Sequence, residues 1–501
     1  MISTIGIVTR NRPSTLERGL ESYIQNIKAH GRQVSFVIMD DSELEETRAD
    51  YKRRLQALKA RYGVAIFYAG IEEKKRFVEL LAKESGIDPN TIAFALLDPE
   101  GCGHTTGANR NALTLHTAGD MLLSVDDDTL CRIAAPLDVK EGLQFVSNPR
   151  FSDMQAFASA QDAQNAVRFE EKDILAIQET FLGVDIDHCL DAYSESDIDI
   201  QGVSPWFAKR LLDPKGRIKM TWMGILGDSG LTNSNYALWL TGRARQEVLS
   251  SEPHYRAVCR SRQILRVGRK LSIGGDGGMF QSVAIGLDNR DLLPPFSPTY
   301  RVQDGIFGAL FLTCLRDDFV AYPPWAVLHD PQPVRENKPE DVWQASAVVS
   351  FNMVLKKCIF GFEPLGTMSI TERMQAMGQS LIERASGDPA AFEMFVRQEF
   401  LKANQETLEH LERLLQTHHG QPRYWAADLK AYMKNLRAAQ ETADYAIPEE
   451  ARVGRSAQAA GVFLRRMVLR FGHLLTAWPR MVDAAKHLKS KNISLALPIT
   501  F

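Results

Sequence analysis

The first 130 residues alternate short apolar, β-rich runs with amphipathic segments, and this alternation limits the fold more than any other feature of the chain. Thr4–Thr9, Val34–Met39, Ala65–Tyr68 and Met121–Val125 have the length and composition of buried parallel strands. Between the first two, Leu16, Leu20, Tyr23, Ile24 and Ile27 fall on one helical face, and Ser14 with Glu17 has capping-box spacing. Ser42 with Glu45 repeats that signal ahead of a helix over Tyr51–Tyr62, and further helices are expected over Glu72–Glu84 and Ala108–Thr117. Strands alternating with helices predict an α/β fold with a wound, mostly parallel, Rossmann-like sheet covered on both faces. Ligands of such sheets sit beyond the carboxyl ends of the strands. Here those ends run into Thr9-Arg10-Asn11-Arg12-Pro13, Asp40-Asp41-Ser42 and Asp126-Asp127-Asp128. Polar turns are ordinary singly. Three on one rim predict a site.

The remainder is less regular. Residues Ile133 to Leu271 hold Trp206, Trp222, Trp239 and the glycine-bearing Gly224–Gly230, with no topology legible from periodicity. After about Pro339 the chain reads as helices: Val396, Phe400, Ala403, Thr407, Leu411 and Leu414 form one stripe, and Gly420-Gln421-Pro422 and Ile447-Pro448 punctuate. The 501 residues fit two or three domains. The boundaries expected are 1–130, the nucleotide-binding half of an α/β domain; 131–340, an acceptor-binding half with a large insert; and 341–501, an all-α C-terminal domain.

Composition excludes several classes. The longest nearly uncharged stretch near the middle, Gly305–Leu315, falls far short of the ~20 residues of a membrane-spanning helix. Met1 runs almost directly into the strand-like Thr4–Thr9, leaving no room for a signal peptide, so a soluble, cytoplasmic protein is expected. Cys102, Cys131, Cys189, Cys259, Cys314 and Cys358 lack the spacing of a zinc site or a disulfide scaffold. A net charge of −3 argues against nucleic acid as a partner. That charge is unevenly spread: Ala451–Phe501 carries nine Lys/Arg and one acid, so the rest of the chain is distinctly acidic.

The acidic triplet carries the strongest chemical signal. Three adjacent carboxylates after an apolar strand repel one another unless a cation sits among them, and Mg²⁺ or Mn²⁺ can bridge a carboxylate and a diphosphate. A solvated turn with an Asp cap is the plainer alternative. Upstream, Gly101–Ala112 is a glycine-bearing loop opening a helix; its free N–H groups and Arg110 suit a phosphate, and equally an ordinary helix start.

These motifs together, with Gly107-Ala108-Asn109-Arg110-Asn111-Ala112 before the strand ending in the Asp triplet, resemble the GT-A glycosyltransferases, in particular the family 2 inverting enzymes that use nucleotide-diphospho-sugars. The resemblance covers about Ile2–Leu130 and returns over Ser282–Pro333. It implies that Thr9 and Arg12 line the base pocket, that Asp40 or Asp41 contacts base or ribose, and that Arg110 lies near base and diphosphate. Asp126 and Asp128 would be the outer acids of an Asp-x-Asp motif, Asp128 on Mn²⁺ or Mg²⁺ and Asp126 on the metal and towards the ribose. His329 would complete the metal shell, and Arg335 would reach the diphosphate from a closing loop. Arg301-Val302-Gln303-Asp304-Gly305 is similar to the family's Glu-Asp motif, with Gln303 in place of Glu, which makes Asp304 the general base that activates an acceptor hydroxyl. Asp304 as the N-cap of the apolar helix Ile306–Leu315 is the competing reading.

The resemblance implies a nucleotide-sugar donor and a glycan, lipid-linked or other hydroxyl acceptor. Two other functions stand beside it. A sugar-1-phosphate nucleotidyltransferase would need a glycine-rich loop after the first strand, which Thr9–Pro13 lacks; a catalytically degenerate binding or assembly module would fit Gln303. In the tail, Phe463, Met467, Phe471, Leu474, Trp478 and Val482 share a face, beside Arg465, Arg466, Arg470, His473 and Arg480. Such a helix suits packing on the helical domain, a second subunit, or peripheral contact at the inner membrane face. Pro479 should break or kink it.

Overall fold

A computed structural model of the chain describes all residues except 148–153, 201–202, 213–214, 232, 275–280, 339, 345–348, 364–366, 443–445 and 501. Pro339, after which the chain was expected to turn helical, therefore lies outside the described residues. Among the described residues seventeen strands form two sheets. They are β1 (Ile2–Thr9), β2 (Ser35–Asp40), β3 (Ala65–Ala69), β4 (Met121–Asp126), β5 (Thr129–Pro136), β6 (Leu143–Val146), β7 (Met154–Phe157), β8 (Val167–Glu170) and β9 (Ile198–Asp199). There follow β10 (Ile218–Trp222), β11 (Gly224–Asp228), β12 (Gln263–Arg266), β13 (Leu271–Gly274), β14 (Ala284–Asp288), β15 (Phe319–Tyr322), β16 (Ala326–His329) and β17 (Leu497–Pro498).

The larger sheet has eleven strands in the order β17-β3-β2-β1-β4-β14-β10-β15-β13-β6-β9, and the smaller six, β7-β12-β11-β16-β5-β8. The α/β class holds. The parallel sheet expected from the alternation is present as β3-β2-β1-β4. Beyond β4 the sheet is mixed, beginning with β14, which runs antiparallel to β4 and pairs Ala284 with Val125. The stretch left without topology thus supplies strands to both sheets.

Helices α1 (Pro13–Ala29), α2 (Glu45–Tyr62), α3 (Ile71–Ser85), α4 (Pro89–Leu96) and α5 (Thr106–His116) cover the parallel part. Neither capping box expected in the first two forms. Pro13 occupies the first turn of α1 with Arg12 as N-cap, since its fixed φ presets the helix. Ser42 instead turns back on Asp40, and α2 opens at Glu45. Helix α4 was not legible, because its eight residues are nearly all apolar and show no period.

After Asp341 the described elements are helices, save β17 at the sheet edge. They do not stand apart from the sheet: one continuous core runs from Ile5 and Leu123 through Met377 and Leu381 to Phe471 and Trp478. The 34-residue helix Ala457–Ser490 buries its apolar stripe against α3, α4, α5 and helix Ile370–Ser386. It crosses the latter where a Cβ on Gly378 would lie 2.6 Å from the Gly472 carbonyl, so only glycine permits that approach. The break expected at Pro479 is absent. Pro479 is buried, and its neighbours hold both sides: Trp478 Nε1 donates to Leu293 O at 2.8 Å and Arg480 Nη2 to Ser85 O at 2.5 Å. A second core joins the smaller sheet, through Met154 and Ile264, to Leu411 and Trp425 on helices Pro389–Thr417 and Arg423–Gln440. No helix among the described residues is long and apolar enough to cross a membrane.

Candidate active site

The acidic triplet lies where the chain leaves the larger sheet for the smaller. β4 ends at Asp126, Asp127 and Asp128 form the turn, and β5 begins at Thr129. Parallel pairing sets Val8 beside Asp126 and Thr9 beside Asp40, so three strand ends reach one level. In the smaller sheet β16 pairs with β5, matching His329 to Thr129, and Asp330 N donates to Asp128 O at 2.9 Å. That register brings His329 to Asp128 across 201 residues of chain.

Around the turn, acids and cations interlock. Arg12, aimed inward from the N-cap of α1, meets Asp127 at 2.6 Å and Asp128 at 2.7 Å. Thr9 Oγ1 donates to Asp127 at 2.6 Å. Asp128 also meets Arg335 at 3.0 Å and His329 Nε2 at 3.1 Å. Arg110, buried on α5, reaches Asp126 at 2.6 Å and donates to Ser282 O at 3.0 Å. His329 Nδ1 donates to Asp228 O at 2.6 Å, and Asp228 in turn holds Arg262 through both oxygens at 2.9 Å.

Burial raises the pKa of Asp126 and lifts that of Asp127 to about 7, with like-charged neighbours adding to the rise. Asp128 goes the other way. Burial opposes its charge, but His329, Arg12 and Arg335 outweigh it and hold the carboxyl well below its usual range. Burial alone would neutralise His329; Asp128 prevails and raises it to about 9.

Near Arg110 and Asp126 stands Asp304, half-buried at the start of helix Gln303–Cys314. Val302, not Asp304, is the N-cap; the Asp304 carboxylate accepts from Gly305 N at 2.9 Å and from the backbone of Ser282. Burial raises its pKa. The approach to it is strained, with Tyr300 at φ 66° and Val302 at φ 69°, values that branched and aromatic residues rarely adopt. The glycine loop before α5 is tied to this segment: Tyr300 N donates to His104 O at 2.9 Å and Ala108 N to Pro298 O at 3.0 Å. Gly107 makes the join possible, because a Cβ there would overlap the Ser297 carbonyl.

These groups border a cavity of about 760 Å³. Of the residues picked out from the sequence, Thr9, Arg12, Arg110, Asp126, Asp128, Asp304, His329 and Arg335 all line it. Asp40 and Asp41 do not. Asp40 is fully buried, accepting from Ser42 and Tyr68, and Asp41 is ion-paired to the buried Lys74 of α3. Lys74 also donates to Asn109, which does line the cavity, so these acids stand one layer behind it. No spacing in the sequence reveals the Lys74 partnership.

Arg10, His104, Asn109, Gln281, Ser282 and Arg301 line the cavity without having been given a role. Most sit in stretches already flagged, so the signal was proximity to a motif. Thr105 and Ser282 place buried hydroxyls there that have no hydrogen-bond partner in the protein. Seven Arg or Lys side chains and three carboxylates share the described lining, which suits an anionic ligand.

Among the described residues no group of three or more His, Cys, Asp or Glu side chains is placed to hold a metal ion. Two are. The Asp128 oxygen and the His329 nitrogen are adjacent, and the Nδ1–H bond to Asp228 fixes the ring with Nε2 facing Asp128. A carboxylate beside an imidazole is a donor set that Mn²⁺ would accept, and Mg²⁺ through the carboxylate. Asp126 is turned to Arg110 instead.

Comparison with protein-family models, curated proteins and solved structures finds no match to this chain.

Proposed function

We propose that the chain is a metal-dependent inverting glycosyltransferase of the GT-A type, moving a sugar from a nucleoside-diphosphate donor to an acceptor hydroxyl. The observation that carries this reading is the convergence, on one cavity at the ends of β1 and β4, of an acid–imidazole pair, Arg110 and Asp304. Phosphate-binding groups and a proton acceptor on one cavity are what a single displacement at an anomeric carbon requires.

On this reading Thr9 and Arg12 hold the nucleotide end of the donor, and Arg110 and Arg335 meet its diphosphate with guanidinium donors. Asp128 and His329 would hold Mn²⁺ or Mg²⁺, which supplies charge neutralisation for the departing diphosphate. Asp304 takes the proton of the acceptor hydroxyl as that oxygen bonds to the anomeric carbon, and the electron pair of the breaking C–O bond leaves on the diphosphate. The raised pKa of Asp304 makes it a better base than an exposed carboxylate. Gln303 beside it adds no repelling charge, so the rise comes from burial, with Asp126 adding to it.

A panel of nucleotide-sugars, assayed for sugar release with and without Mn²⁺, tests the proposal. Metal-dependent release that disappears in Asp128→Ala and in Asp304→Asn is expected. Binding without release by any acceptor would favour a non-catalytic module, and release of pyrophosphate from a nucleoside triphosphate with a sugar phosphate would favour a nucleotidyltransferase.

A further inference from the structure

The stretch of chain that leads to Asp304 is held from the helical region. Asn352 lies near the start of helix Phe351–Phe360, which packs against helix Gln303–Cys314 and borders the cavity through Lys356. Its side chain is fully buried. The amide nitrogen of Asn352 carries two N–H groups, and both go to one short stretch: it donates to Thr299 O at 3.0 Å and to Arg301 O at 2.6 Å. Those carbonyls flank Tyr300, the residue at φ 66°. The Phe351 ring packs on the Tyr300 ring, with centroids 5.7 Å apart.

A bulky residue keeps a positive φ only where its surroundings overdetermine it. At Tyr300 the N–H goes to His104 O, and the carbonyls on either side go to Asn352. Val302, at φ 69°, follows at once and is the N-cap of helix Gln303–Cys314. The direction of the first helical turn, and with it the place of the Asp304 carboxylate, is inherited from this stretch. A base must lie within hydrogen-bond reach of the proton it takes, and a misplacement of about 1 Å can cost a factor of about 10².

We propose that Asn352 is a positioning residue for the base, fixing Tyr300 from both sides so that Asp304 is presented to the cavity. The inference rests on the transferase reading and makes the C-terminal helices part of its machinery. Asn352 is not in the described lining of the cavity, so it acts through Asp304 and touches no substrate. Asn289 supplies the contrast. It is also fully buried and also donates twice, to Thr114 O at 2.8 Å and Thr117 Oγ1 at 3.2 Å, but those bonds reach the C-terminal end of α5, away from Tyr300.

Kinetics of the full chain test the proposal. Sugar release from uridine, guanosine and adenosine diphosphoglucose is measured with Mn²⁺, water serving as the hydroxyl that Asp304 deprotonates. The donor turned over fastest is kept. Asn352→Leu fills nearly the same space without the donors, and should lower kcat by about tenfold or more. The donor KM, and the calorimetric affinity for its nucleoside diphosphate, should change by less than about twofold. Asn289→Leu should lower the melting temperature but leave kcat within about twofold. Should Asn352→Leu fail to fold, Asn352→Ser, with one donor instead of two, carries the same comparison. Three results would overturn the inference while Asp304→Asn is inactive and the transferase reading stands: an unchanged kcat in the Asn352 variants, a donor affinity that falls as far as kcat, or an equal loss of kcat in Asn289→Leu. If no donor is turned over, or Asp304→Asn keeps the native rate, the reading of the base fails and the inference falls with it.

Discussion

Two sets of charges join distant parts of this chain, one in the cavity and one along the C-terminal helix, and they work on different terms. In the cavity, Asp127, Asp128, His329 and Arg110 are buried, so their attraction must offset a large desolvation cost. Apolar residues of the same size would hold the sheets together at least as well. On helix Ala457–Ser490 the pairs are at the surface: Arg466 and Arg470 with Glu100, Lys489 with Asp120, Lys491 with Glu84. There the apolar stripe does the holding, and the ion pairs only dress its rim. Charge buried where stability does not ask for it marks a site; charge beside a buried apolar face marks solubility and registry.

Four substitutions or conditions sharpen that contrast. The largest effect is expected for Asp128→Ala, which should lower donor cleavage by about 10³-fold, on the order of 4 kcal/mol of transition-state stabilisation. A rate measured at saturating Mn²⁺ checks it. Retained activity would make the cavity cluster structural after all.

Next comes Trp478→Ala in the C-terminal helix. The side chain is fully buried, and its loss should cost about 3–5 kcal/mol in denaturant unfolding. A cost below about 1 kcal/mol would mean that the helix docks through its charges, contrary to the comparison.

A smaller effect concerns His116, which accepts from Ala496 N at 3.4 Å where the tail returns to α5. Burial, with Lys489 nearby, lowers its pKa from 6.5 to about 4. The unfolded chain therefore binds the proton more readily than the folded one between those values. The stability gained by keeping the ring neutral is complete above about pH 6.5 and lost as the pH falls towards 4, on the order of 1–2 kcal/mol by pH 5 for a partly exposed ring. Unfolding midpoints at pH 7 and pH 5 should differ more for the native chain than for His116→Gln.

The smallest effect belongs to Glu100→Gln. Its two arginine partners are partly solvated, so the change should cost less than about 1 kcal/mol and fade with added salt.

Legibility along the chain follows the same division. Strands β1–β4 and helices α1, α3 and α5 were readable because each buries a face whose period is set by neighbours close in sequence. Thr9, Arg12, Arg110, Asp126 and Asp128 came with them, being the polar ends of readable strands and helices. Asp40 and Asp41 occupy the same kind of strand end yet lie behind the cavity, because Tyr68 and Lys74 capture them from elements further along. Pro479 was expected to break or kink its helix; the helix runs through it without a break, because burial on both sides outweighs one missing hydrogen bond.

What the sequence determined alone is the local grammar: which runs are strands, which faces are apolar, and which strand ends carry acid. Those depend on spacings of two to four residues. The tertiary structure alone decided that β5 and β16 pair and so set His329 against Asp128, that Ser282 anchors Asp304 near Arg110 and Asp126, and that the cationic tail buries its apolar face within its own chain. Those are contacts between residues tens to hundreds apart. Many registers and dockings would satisfy the local pattern equally, and only the packing of the whole core separates them.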